Sequence, residues 1–358
     1  MLQWPRIPIV QAPLAGGPST PELAAAVSNS GALGFVAAGY KTPAAMNEDI
    51  AATRALTSES FGVNVFAVTP SVVSSSALDD YASSVRDSTS YIGVEPGSPR
   101  TDDDHFEEKC SALLADPVPI VSFTFGFPSR ELVDRMHGAG SHVWVTVTDV
   151  EEARTAARSG ADALVVQGVE AGGHRATFED SDDGDYGVLA LLQLVSAGVD
   201  LPLIASGGIM TGGGIAAVLA AGAIAAQLGT AFMRCPEAGT ATVHRDAIAG
   251  SGRTALTRAF TGRTARAIVN RFLTEHTGEA PAAYPAVHHL TAPIRARARG
   301  TGDPEVLNLW AGQAHELARD LPAGELVQRL DEEARAAVGA LGRRMTNARS
   351  DAGQRRAG

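Results

Sequence analysis

The residues best placed to do chemistry follow an apolar run, Ala163–Gln167, which opens directly into Gly168, Glu170, Ala171, Gly172, Gly173 and His174. Two adjacent glycines straight after a strand let the backbone pass close to a ligand with no Cβ in the way. The imidazole that follows is delivered to the same place. There it can exchange a proton near neutral pH or donate a hydrogen bond to a developing anion. Alone, a Gly-Gly-His triplet would also read as a turn carrying a surface histidine, so the elements before and after it have to decide.

Two later segments have the character of an anion site. A strand ends at Ser206, Gly207 and Gly208, and a helix starts within a few residues, in PLIASGGIMTGGGIAAVLAAGA. Successive N–H groups at such a turn and at a helix N-terminus attract a phosphate. The next strand ends in AAQLGTAF, with Gln227, Leu228, Gly229 and Thr230 at the equivalent height. A phosphorylated cofactor is the natural occupant. No GxGxxG opens the first βα unit and no P-loop is present, so a Rossmann-type dinucleotide site is not expected.

Asn64 in FGVNVF and Gln167 in ALVVQG interrupt otherwise apolar strands. A buried amide needs a hydrogen-bonding partner, in the backbone of the core or on a ligand. Near the start, IVQAPLAGGPSTPE gives a strand, an Ala-Pro turn and a Gly pair, then Ser19 or Thr20 as a helix N-cap. The backbone of Ala12, Pro13 and Leu14 is expected to lie against a ring system at the site.

These segments hang on a regular alternation. Short β-rich runs recur at Ile7–Gln11, Ala32–Ala38, Phe61–Phe66, Ile120–Phe125, His142–Val147, Ala163–Gln167, Pro202–Ser206 and Ala223–Leu228. Ala-rich stretches of helical spacing separate them, among them Pro21–Ser30, Ser129–Ala139, Val150–Ser159, Val188–Ala197 and Gly213–Ala221. Repeated βαβ units mean a parallel sheet, and eight of them match a closed (β/α)8 TIM barrel, with an open doubly wound sheet as the alternative. On a barrel, the loops after the sixth, seventh and eighth strands share the active-site face, which brings His174 and the two glycine loops together.

The barrel is expected over 1–235, followed by a smaller, mainly helical substrate-side region over 236–310 that ends in a helical stretch near Leu307–Leu321. C-terminal helices over 311–342 should pack on the barrel, and the tail over 343–358 lacks apolar periodicity and is expected to be disordered. Two polar inserts stand out: VEPGSPRTDDDH before the fourth strand, and the acidic Phe178–Gly187 after the sixth, which reads equally as a lid or as a solvated loop.

Composition narrows the function. Of 358 residues, 45% are hydrophobic and 19% charged, and the formal net charge is −11. An acidic surface disfavours nucleic acid and anionic membranes as partners. No apolar run approaches the roughly 18 residues of a membrane helix, and MLQWPRIPIVQAP has no signal-peptide pattern. Cys110 and Cys235 are too few and too far apart for a disulfide framework or a zinc site, so no metal is expected and the setting reads as cytoplasmic.

Taken in order, APLAGG, GVNVF, VSFTFGFP at Val121–Pro128, QGVEAGGHR, ASGGI, QLGT and FTGRTARAIVNRF at Phe260–Phe272 resemble the nitronate monooxygenases, once called 2-nitropropane dioxygenases. The resemblance runs from about residue 5 to 330. It implies an FMN-containing barrel that oxidises alkyl nitronates such as propionate 3-nitronate with dioxygen to a carbonyl compound and nitrite, without NAD(P)H. It also implies FMN contacts from Asn64, Gln167, Gly172, Gly208 and Gln227–Thr230, with His174 as the catalytic histidine. In relatives that accept neutral nitroalkanes, this histidine removes the proton α to the nitro group. Where the family often has Gly after the Arg of this motif, the chain has Ala176 and then the acidic insert. The flavin-dependent enoyl-thioester reductases share the EAGGH and GT motifs, and a non-catalytic FMN-binding protein is a reading of another class. Substrate identity and oligomeric state are not encoded in these motifs.

Overall fold

Each apolar run becomes a strand. They are β1 (Ile9–Gln11), β2 (Gly34–Ala37), β3 (Phe61–Phe66), β4 (Ile120–Thr124), β5 (His142–Val147) and β6 (Ala163–Gln167), then a short β7 (Gly173–His174), β8 (Leu203–Ser206) and β9 (Ala225–Leu228). These come from a computed structural model that describes residues 4–68, 74–180 and 185–354. All but β7 belong to one parallel sheet in the order β1-β9-β8-β6-β5-β4-β3-β2. The ends meet: Gln11 N donates to Leu33 O at 2.9 Å and Leu33 N to Ile9 O at 3.0 Å, and Val10 bridges Leu33 in parallel. The sheet is therefore a (β/α)8 TIM barrel, and the open-sheet alternative falls.

Local chemistry starts the helices where the sequence signals them. Thr20, with Pro21 behind it, caps Pro21–Asn29 by accepting from Leu23 N at 3.0 Å. Ser19, the other N-cap candidate, instead accepts from Leu14 N at 2.8 Å and so fixes the first loop. Ser129, Asp149 and Thr211 cap Arg130–Gly138, Val150–Ser159 and Gly212–Ala220 in the same way. Side chains such as Leu23, Val133, Leu191 and Ile215 are buried between helix and strand, each contributing about 1.5–3 kcal/mol of burial.

The barrel interior is graded. Its floor is apolar, with Val10, Phe35, Ile120, Trp144, Val165, Ile204 and Ala225 in one buried cluster. Trp4 stacks on Trp144 at 5.6 Å between ring centroids. Towards the C-terminal strand ends, the inward positions of period 2 become Asn64, Thr124, Thr146, Gln167, Ser206 and Gln227.

The region after β9 is mainly helical, as expected, but also contains a small sheet that the sequence did not signal. Besides helices Thr242–Ala249, Arg271–His276 and Ala286–Thr301 it holds β10 (Thr254–Thr257) and β11 (Ala265–Ile268). These form an antiparallel sheet in the order β10-β11-β7. A second buried core, with Ala259, Phe260, Phe272, Val287, Leu290 and Ile294, serves this region. It recruits Tyr81 and Val85 from Ser75–Thr89, a helix inserted after β3.

The helical stretch near Leu307–Leu321 is not found; one short 3-10 turn, His315–Leu317, forms there, and another, Pro304–Val306, just before it. Backbone pairing wins over helical spacing: Ile268 N donates to Leu309 O at 2.9 Å, and Gln313 N to Glu170 O at 3.0 Å. Helix Ala323–Gln354 follows and packs on Gly212–Ala220, where Glu333 accepts from Gly212 N at 3.2 Å. It runs on through the stretch from 343 that lacked apolar periodicity. No described helix is long and apolar enough to cross a membrane.

The two polar inserts are partly tied down. Asp104 forms a 2.7 Å ion pair with fully buried Lys109, and Asp102 pairs with His289. Asp180 accepts from Arg258 Nε at 2.8 Å and from Thr264 N at 3.2 Å, while residues 181–184 of the candidate lid lie outside the described residues.

Candidate active site

A cavity of about 640 Å³ opens at the C-terminal strand ends and collects the candidate catalytic and cofactor-binding residues, but not Gly168 or Glu170, whose carboxylate instead accepts from Val188 N. Ala12, Pro13 and Leu14 come from the loop after β1, Asn64 from β3, Gln167 from β6, and Gly172, Gly173 and His174 from the segment beyond it. Ser206, Gly207 and Gly208 follow from β8, with Gln227, Leu228, Gly229 and Thr230 from β9. Barrel closure seats the first loop against the last: Ala12 N donates to Leu228 O at 2.8 Å.

The geometry changes what several of these residues can offer. Asn64 is buried, and its amide nitrogen donates to Ser122 Oγ at 2.9 Å and Thr124 Oγ1 at 3.0 Å, so its carbonyl oxygen is the atom left for a ligand. Gln167 is largely committed to the histidine segment. Its Oε1 accepts from Ala176 N at 2.9 Å and Arg175 Nη1 at 3.2 Å, and its Nε2 donates to His174 O at 3.1 Å. The Gln227 side chain makes no hydrogen bond within the described residues and stands ready for a ligand. Thr230 uses its hydroxyl to accept from Gly312 N at 3.0 Å.

The paired glycines divide the labour. A Cβ on Gly172 would lie 2.5 Å from the Ala311–Gly312 peptide, so this position is glycine because another backbone crosses it. Gly173 has open space around it but a φ of 75°, the left-handed region that glycine enters without strain.

His174 lies on a strand rather than in a free loop, since β7 pairs with β11 through His174↔Ala265 and Gly173↔Arg266. Its Nε2 is 2.9 Å from Thr261 Oγ1, and its ring packs edge-on to Phe125 and Tyr284 and tilted against Trp310. Burial first, then the charges of Arg263 and Arg295, push its pKa down from 6.5 to about 3. That shift disfavours a protonated imidazole, while Arg295 brings positive charge to the cavity wall.

The wall facing the barrel is built from residues the sequence did not single out. Tyr40 stacks on His288 at 4.3 Å between centroids and packs against the cluster of Phe66, Phe125 and Tyr284. Asp104 accepts from Tyr40 N at 2.9 Å, so the buried Lys109–Asp104 pair fixes this tyrosine. Arg295, on Ala286–Thr301, also lines the cavity. These positions are far apart in sequence and carry no shared motif. Thr124 and Thr146, by contrast, could have been found as polar residues at inward strand positions. No group of three or more His, Cys, Asp or Glu among the described residues could hold a metal.

Comparison with known proteins agrees with this geometry. A family model described as nitronate monooxygenase matches residues 4–333. The chain is 39% identical over 347 residues to a nitronate monooxygenase of Paraburkholderia phytofirmans, covering 92% of this chain and 93% of the relative. It is 37% identical over 331 residues to a probable nitronate monooxygenase of Staphylococcus aureus, with 90% and 93% covered. Among solved structures, the nitroalkane oxidase of Streptomyces ansochromogenes superposes with a TM-score of 0.92 at 51% identity, over 94% of this chain and 98% of that one. FabK of Thermotoga maritima is more distant, at a TM-score of 0.75 and 26% identity over 94% and 95%. The family model and these relatives show that this chain is an oxidoreductase of the nitronate monooxygenase family.

Proposed function

We propose that the protein is an FMN-dependent enzyme that oxidises alkyl nitronates, propionate 3-nitronate among them, with dioxygen to a carbonyl compound and nitrite. The observation that carries this reading is that His174 lines the same cavity as the glycine loops after β8 and β9.

The residues present fit FMN. Gly207 and Gly208 hold positive φ angles of 115° and 68°, a backbone turn suited to wrapping a phosphate beside the N-terminus of Gly212–Ala220. Asn64 Oδ1 and the Gln227 amide would meet the carbonyl and N–H edge of the ring, with Ala12–Leu14 along it. Bound there, FMN supplies the redox chemistry that no side chain of the cavity can.

The chain's own part is binding, orientation and proton management. Thr261 Oγ1 lies 3.3 Å from Arg263 O, so its hydroxyl hydrogen has an acceptor and its lone pair can take the Nε2–H of His174. Nδ1 is then the basic nitrogen, with no partner among the described residues. With a preformed nitronate no proton has to move, and the site needs only to bind the anion. With a neutral nitroalkane, the α proton would pass to His174 Nδ1. Phe125, Tyr284 and Trp310 enclose the ring and limit water.

The purified holoprotein is expected to be yellow and to consume oxygen on addition of ethylnitronate or propionate 3-nitronate without NADH, releasing nitrite. Flavin reduction by NADPH with reoxidation by an enoyl thioester, and no response to nitronates, would assign the protein to the reductases instead.

A further inference from the structure

A guanidinium buried in a cavity wall without a counter-charge marks where an anion belongs. Arg295 is 7% exposed and lines the cavity. Its Nε donates to Thr291 Oγ1 at 3.0 Å and its Nη2 to His288 O at 2.9 Å, with His288 Nδ1 at 3.3 Å. All three contacts lie on its own helix. They aim the fork, and Nη1 makes no hydrogen bond within the described residues.

No carboxylate forms an ion pair with Arg295 among the described residues, whereas Arg175 has Asp185 at 3.7 Å and Arg258 has Asp180 at 2.8 Å. Burial pushes the Arg295 pKa down to about 10. An unpaired buried charge is costly, and a ligand that neutralises it recovers that cost on binding.

The position of the charge selects the ligand. The phosphate-type loops belong to β8 and β9, while Arg295 sits with His288, Tyr40 and Tyr284, near enough to His174 to lower its basicity. A nitronate is planar, with two oxygens sharing one negative charge, the shape that a guanidinium fork accepts through parallel N–H groups.

We infer that Arg295 is the anion-binding residue of the substrate site, taking the nitronate oxygens through its Nη1 edge while Thr291 and His288 hold the fork in place. The inference rests on the nitronate reading of this cavity. It makes Arg295 a specificity determinant for ionised over neutral substrate.

The test compares holoenzyme of wild type, Arg295→Met and Arg295→Lys. Nitrate, a planar oxyanion that does not react, is titrated against the flavin absorbance, and KM and kcat are measured with ethylnitronate. In Arg295→Met, nitrate affinity should fall and KM should rise by about ten- to hundred-fold, with a smaller change in kcat and full FMN content. Arg295→Lys should recover part of both.

Unchanged nitrate affinity and ethylnitronate KM in Arg295→Met overturn the inference. So does loss of FMN, which would give the guanidinium to the cofactor, or a lower melting temperature with nitrate affinity intact, which would make it structural. A defect confined to propionate 3-nitronate overturns it too, assigning Arg295 to the distal carboxylate. If wild type binds nitrate through Arg295 but oxidises no nitronate, the functional reading fails and the anion site stands.

Discussion

His244 offers a test of how the cavity is electrically built. It is 8% exposed, its Nε2–H donates to Trp310 O at 2.9 Å, and it lines the cavity. Burial chiefly, with help from the Arg299 charge and against the pull of the Trp310 carbonyl, lowers its pKa from 6.5 to about 4. A histidine with a depressed folded-state pKa stabilises the fold where it is neutral. That contribution is present above the unfolded value and is lost as pH falls from about 6.5 towards 4. Between pH 7.5 and 5 the loss covers close to 1.5 pH units below the unfolded pKa, or about 2 kcal/mol at 1.36 kcal/mol per unit. For 358 residues at roughly 2.1 cal/mol/K each, the unfolding entropy is about 0.75 kcal/mol/K, so this loss lowers Tm by about 3 °C. The comparison is the Tm of wild-type and His244→Gln holoprotein at both pH values. The glutamine has no charge to gain, so the drop from pH 7.5 to 5 should be about 3 °C smaller in the variant. Equal drops in the two proteins would refute the assignment of a neutral, buried His244.

Three further outcomes follow from the geometry. His174→Ala should keep FMN while losing about 10²–10⁴-fold in turnover of a neutral nitroalkane, measured as oxygen uptake, with a smaller loss for the preformed nitronate; full activity on the nitroalkane would remove the histidine from proton transfer. Asp104→Asn keeps an acceptor for Tyr40 N but leaves the buried Lys109 ammonium without a counter-charge, so it should cost about 3–5 kcal/mol, or about 4–7 °C in Tm. Gly172→Ala should reduce both Tm and FMN retention more than Gly173→Ala, because the first drives a Cβ to 2.5 Å from a crossing peptide while the second only strains one φ angle, by about 1–2 kcal/mol.

What was legible in the sequence was whatever depends on local pattern. Strand runs bounded by turn residues gave all eight barrel strands, because a sheet covered on both faces leaves near-continuous apolar stretches. The glycine loops after β8 and β9 could be placed because barrel topology fixes the height at which they emerge. β7 was not legible: two residues carry no periodicity, and its pairing with β11 joins positions about ninety residues apart. The spacing of Leu307–Leu321 suggested a helix, but backbone pairing with Ile268 and Glu170 decided otherwise. Gln167 could be marked as a polar intruder, yet not as the clamp that holds His174. Tyr40, His288 and Arg295 meet only in space.

The charge state of His174 was the least legible feature, and it changes the logic of the site. An acidic protein that acts on an anion needs positive charge locally, and a protonated histidine is one way to provide it. Here Arg295 provides it in the cavity wall, and burial first, then the charges of Arg263 and Arg295, lower the basicity of the imidazole. Division of the two tasks matters because a group that is already protonated cannot accept a proton. On the proposed reading, an anion bound at Arg295 cancels part of the field that depresses His174, so the histidine becomes more basic when the site is occupied. With a neutral nitroalkane, proton transfer would create the nitronate beside that same guanidinium and draw the equilibrium towards the ionised pair. A preformed nitronate arrives with that step complete, so a site organised around fixed arginine charge favours the ionised substrate while keeping a neutral base within reach of the other.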